Sequence, residues 1–73
     1  MNIKALGLKI KGLRESAGLT MEKLASQSGV AKNAILAIEK GRGNPTIGTL
    51  EAVASALELT LSQLLGADVK PRA

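Results

Sequence analysis

Residues 20–41 read Thr-Met-Glu-Lys-Leu-Ala-Ser-Gln-Ser-Gly-Val-Ala-Lys-Asn-Ala-Ile-Leu-Ala-Ile-Glu-Lys-Gly. Two short helical patterns meet in this stretch at Gly29. The first offers Leu24 and Ala25 to a core, and the small Ala25 allows a neighbouring helix to come close. Gly29 has no Cβ, so it can adopt φ > 0 and turn the chain sharply. Val30 fills the turn. Ile35 and Ile38 are three residues apart and share one face of the second helix. The opposite face then carries Lys32, Asn33, Leu36, Ala37 and Lys40.

The rest of the composition narrows what such a pair of helices can serve. The chain has 73 residues and net charge +4, and 45% of it is apolar. That length sets a ceiling of one small domain, and a domain of this size is only marginally stable alone. It contains no Phe, Tyr or Trp, so the core must be built from Leu, Ile, Val, Met and Ala. Such a core suits close helix packing. Cysteine and histidine are absent too. That removes disulfides, thiolate metal sites and the commonest general base. With no Gly-rich phosphate loop and no clustered carboxylates, an enzyme is not expected, and no cofactor or metal is expected either. No apolar run reaches the ~20 residues a membrane span needs, and the start lacks a signal-peptide core. The expected setting is the bacterial cytoplasm.

Charge is unevenly spread. Residues 1–42 hold eight basic and three acidic side chains, a balance of +5, and residues 43–73 hold two against three, a balance of −1. A basic half beside a near-neutral half suits a protein that meets a polyanion on one side. Ordinary solubility charge would also account for +4.

Apolar spacing predicts five helices. The first runs from Ile3 to Ala17, with Ile3, Leu6, Ile10, Leu13 and Ala17 on one face and Gly18 as its stop. Thr20 caps the second, and Glu22 in its first turn complements the helix dipole. The third spans about Lys32 to Lys40 and is closed by Gly41. Arg42-Gly43-Asn44-Pro45 is a loop. Thr46 caps the fourth, whose buried stripe is Ile47, Leu50, Val53, Ala54 and Leu57. Thr60 caps a short fifth helix with Leu61, Leu64 and Leu65, and Gly66 stops it. Residues 1–66 therefore form one domain, and residues 67–73, with Pro71, read as a flexible C-terminal tail.

Two helices joined by a tight Gly turn at a steep angle make a helix-turn-helix, here about residues 20–41, and the second helix of that motif enters the DNA major groove. Over residues 6–65 the chain resembles the Cro/lambda-repressor-like helix-turn-helix family. The resemblance rests on Ile10, Leu13 and Arg14; Gly18-Leu19-Thr20; Leu24-Ala25; Gly29-Val30; Ile35; Ile38-Glu39-Lys40-Gly41; Asn44-Pro45-Thr46; Leu50; Ala54; Leu57; and Leu64-Leu65. It implies an all-α, compact five-helix domain with the second and third helices as the DNA-reading pair. It also implies that Arg14 and Glu39 pair, fixing the third helix against the first. Half-buried, that pair would be costly to break on one side; on the surface it would be worth under about 1 kcal/mol.

The functional expectation is a sequence-specific regulator of transcription, a repressor, that binds double-stranded DNA at a palindromic operator as a homodimer. Lys32 and Asn33 are candidates for base contacts, because lysine suits guanine O6 and N7 and asparagine can bind adenine through N6 and N7. Lys32 can equally touch phosphate. Leu36 and Ala37 can meet thymine methyl groups. Thr20, Lys23, Lys40, Arg42, Asn44 and Thr46 are candidates for the sugar-phosphate backbone, where contacts set affinity and salt dependence. No separate oligomerisation or sensor domain is expected. Dimerisation is therefore assigned to Leu61, Leu64 and Leu65, which exceed what one small core needs.

Several positions depart from the family pattern. Met21 replaces a common Gln. Ala31 replaces a common Ser or Thr cap and forfeits about 1 kcal/mol. Ala34, Leu36 and Ala37 replace positions that are often polar. The resulting apolar face supports a second expectation, a protein-interaction module such as an antitoxin or a regulator partner.

Overall fold

A computed structural model describes residues 2–65, in which five helices form and no strand does. They are α1 (Ile3–Ser16), α2 (Met21–Ser28), α3 (Lys32–Glu39), α4 (Ile47–Ala56) and α5 (Leu61–Leu65). The expected tail at 67–73 and the stop at Gly66 lie outside the described residues.

Local chemistry sets where these helices start. The Asn2 side chain accepts from the Ala5 amide at 3.1 Å, Thr20 from Lys23 at 3.0 Å, and Thr46 from Thr49 at 3.1 Å. At α5 the exchange is reciprocal. Thr60 Oγ1 accepts from the Gln63 amide at 3.0 Å, and Gln63 Oε1 accepts from the Thr60 amide at 2.9 Å. Each such bond satisfies a donor that the first helical turn leaves free. Ala31 at the start of α3 provides no side-chain cap, as its methyl group requires.

The ends of α1, α3 and α4 follow one device. At the close of α1 the Leu19 amide reaches the Arg14 carbonyl and the Gly18 amide reaches Glu15, with Gly18 at φ 74°. At the close of α3 the Arg42 amide reaches Ala37 and the Gly41 amide reaches Ile38, with Gly41 at φ 74°. Helix α4 closes the same way through Leu59 to Ala54 and Glu58 to Ser55, but the left-handed residue there is Glu58, at φ 62°. A side chain in that region is strained where glycine is not.

The core is aliphatic throughout. Leu6, Ile10, Leu24, Ile35, Ile38, Leu50, Val53, Ala54 and Leu64 are buried, drawn from all five helices. Helix α3 packs on both α1 and α2, α4 on α2 and α5, and α5 closes back on α1. Three expectations need correction. Ala17 is the residue after α1 and is exposed, because Gly18 turns the chain away before it can face inward. Ile47 is 55% exposed, since the first turn of α4 sits at the protein edge. Leu64 is fully buried within this chain's own core, where α5 packs against α1 and α4. It is therefore unavailable to a second copy. Of the three leucines assigned to a dimer contact, half-buried Leu61 and exposed Leu65 remain at the surface.

Candidate nucleic-acid interface

Helix α3 is held from behind by an ion pair and a close backbone approach. Arg14 Nε donates to Glu39 Oε2 at 2.7 Å and Nη2 to Glu39 Oε1 at 3.1 Å, a two-point contact of a planar guanidinium with a carboxylate. Arg14 Nη1 also donates to the Leu19 carbonyl at 2.9 Å, tying the α1–α2 connection into the same node. Both side chains are buried. Hydrogen bonding to Glu39 pushes the Arg14 guanidinium above its ordinary value, against the opposing effect of burial. Beside this node lies Gly7, whose missing Cβ would overlap the Ile38 carbonyl oxygen. Only glycine lets α1 and the end of α3 approach this closely.

With its inner side fixed, α3 turns Lys32, Asn33 and Lys40 to solvent, while Leu36 and Ala37 are half-buried. Lys32 is not free. Its ammonium donates to Glu22 Oε2 across the α2–α3 turn at 2.7 Å. The bond from Lys32 holds the Glu22 carboxyl below the usual carboxylate range, helped by the Glu22 backbone amide and the lysine charge. Both groups are exposed, so the pair is readily exchanged for another partner. Asn33 has no side-chain bond among the described residues.

The expected backbone-contact residues fall into separate places. Arg42, Asn44 and Thr46 line one groove with Ala37, between the end of α3 and the start of α4. Thr49, Pro45, Gly43, Ala34 and Ile38 also line it, and Thr46 Oγ1 donates to Thr49 Oγ1 at 3.0 Å. Thr20 and Lys23 sit apart from that groove, at the start of α2, where Thr20 is occupied as the cap. Lys40 lies in a second hollow with Lys4, Leu8, Glu39 and Arg42. Sequence reasoning passed over Lys4, Gly7 and Thr49, and assigned Glu22 only to the dipole of the second helix. For Gly7 a signal existed. It sits three residues before Ile10 and seven before Arg14, on the inward face of α1, where a glycine marks a close approach.

The arrangement presents the outer face of α3, flanked by cations and by the capped starts of α2 and α4. Among the described residues no helix is long and apolar enough to cross a membrane.

Residues 10–64 match the model of the helix-turn-helix family. The chain is 38% identical over 61 residues to the immunity repressor protein of Bacillus phage phi105, covering 84% of this chain and 42% of that protein. It is similar to an HTH_3 family transcriptional regulator from Vibrio cholerae, with TM-score 0.83 and 37% identity over 93% of this chain and 38% of that one. It is also similar to the master regulator for biofilm formation SinR, solved in complex with DNA. There the TM-score is 0.76 and identity 36%, over 82% of this chain and 97% of that one. The chain thus spans about two fifths of the length of the phage and Vibrio relatives.

Proposed function

This chain belongs to the helix-turn-helix family, and on that premise we propose that it is a sequence-specific regulator of transcription, a repressor, working in the cytoplasm. It binds double-stranded DNA as a homodimer, with α3 in the major groove of each half of a palindromic operator. The observation that carries the reading is the division of α3. Ile35, Ile38 and Glu39 are buried, so the helix cannot rotate, while Lys32, Asn33 and Lys40 project outward from it. A helix so held presents a fixed set of donors to base edges. Asn33 and Lys32 are its base readers, Lys32 after release from Glu22, and Leu36 and Ala37 add apolar contact with thymine methyls. Thr20, Lys23, Lys40, Arg42, Asn44 and Thr46 hold the sugar-phosphate backbone. Leu61 and Leu65 supply the apolar surface for pairing two copies. SinR, whose solved chain is 36% identical to this one over 82% of this chain's length, has been solved on DNA, and that supports the reading.

The test is selection of bound sequences from a random duplex pool at moderate salt. The expected outcome is a palindrome with half-site centres roughly ten base pairs apart. On the selected site Asn33→Ala should cost about 1–3 kcal/mol, with little change on random DNA. A folded, helical sample that enriches no sequence would overturn the reading and direct attention to a protein partner on the Leu36 face.

A further inference from the structure

Lys4, Leu8, Glu39, Lys40 and Arg42 line one hollow where the first turn of α1 meets the end of α3. We infer that Lys4 completes a phosphate-binding site there with Lys40 and Arg42, and that this site grips the DNA backbone from outside the helix-turn-helix. The inference rests on the DNA-binding reading above and adds to it a contact from α1.

Placement is the first argument. A Cβ on Gly41 would lie 2.7 Å from Lys4 Cγ and 3.1 Å from Lys4 Cα. The stem of Lys4 is therefore laid across Gly41, which stands between Lys40 and Arg42 in sequence.

Charge is the second. The one acid in the hollow is Glu39, and both of its oxygens are taken by Arg14. Among the described residues no carboxylate pairs with Lys4, Lys40 or Arg42. Three cations thus face one carboxylate that is already neutralised. Bringing them together without a counter-charge is unfavourable until an anion arrives.

The third argument is that helix stability does not explain the arrangement. The end of α3 is closed by the backbone amides of Gly41 and Arg42, so no cation is needed to cap it. Lys4 sits in the first turn of α1, which holds no acidic residue. That is the positive end of the helix dipole, where a cation is the disfavoured sign. A lysine ammonium is a compact point charge suited to phosphate.

Lys9 provides the control. It lies on the same helix and has the same charge, but its Nζ donates to the Gln63 carbonyl of α5 at 2.9 Å, away from this hollow. The experiment measures duplex affinity of the full chain against salt concentration for wild type, Lys4→Ala, Lys4→Arg and Lys9→Ala, with helicity checked by circular dichroism. Lys4→Ala should reduce the salt slope by about 0.9 and the affinity roughly eightfold at about 0.1 M salt. Lys4→Arg should restore both, and Lys9→Ala should lower the affinity no more than about twofold. Equal losses in Lys4→Ala and Lys9→Ala, or none in Lys4→Ala, would overturn the inference while leaving DNA binding intact. A wild-type chain that binds no duplex would instead remove the underlying reading, and the inference with it.

Discussion

The inner and outer sides of α3 are built on opposite terms. On the inner side Ile35 and Ile38 lie in the core, Glu39 is gripped at two points by Arg14, and the backbone lies against Gly7. On the outer side Lys32, Asn33 and Lys40 are exposed, and the Lys32–Glu22 ion pair lies in solvent, where it is weak. The inner side specifies where the helix sits. The outer side contributes little to folding, so it is free to be read by a partner. Changes on the inner side should therefore appear as lost stability. Changes on the outer side should appear in binding.

The largest expected effect comes from removing half of the buried ion pair. Glu39→Ala leaves the Arg14 guanidinium buried without its carboxylate and should cost about 3–5 kcal/mol in urea unfolding. A loss under about 1 kcal/mol would mean that the pair behaves as a surface contact and that the two sides of α3 are not so different. Gly7→Ala tests the same side by crowding. Its methyl must displace the α3 backbone, and overpacking of this kind costs about 1–3 kcal/mol. A neutral result would show that α1 and α3 can separate freely. The smallest effect should be a gain. Ala31→Ser supplies the side-chain cap that α3 lacks, and the folded state should become about 1 kcal/mol more stable. If thermal unfolding instead shows no gain, the start of α3 is already satisfied through its backbone.

Much of this was legible in order along the chain. Thr20, Thr46 and Thr60 start helices where their side chains can accept from an amide three residues on, and Gly18, Gly29 and Gly41 end or turn them, because both devices act within five residues. The inward stripe of α3 followed from the spacing of Ile35 and Ile38. The Arg14–Glu39 contact was implied by family resemblance, not by the residues alone, since 25 positions separate the two. Leu61, Leu64 and Leu65 look alike in a list of residues. Only the docking of α5 on α1 and α4 makes Leu64 core and leaves Leu65 at the surface. Glu58 carried no sign that it would take the left-handed conformation, because that strain is imposed by closing α4 and sending the chain into α5.

The sequence alone determined the helical class, the positions of helix starts and stops, and the tight turn at Gly29. Each depends on forces within a turn or two of the chain: amide capping, the conformational freedom of glycine and apolar periodicity. The tertiary structure alone decided that Gly7 lies under Ile38, that Lys4 lies across Gly41, that Glu22 holds Lys32, and that Ile47 faces outward. These juxtapositions depend on how helices cross, and crossing is set by the packing of the whole core.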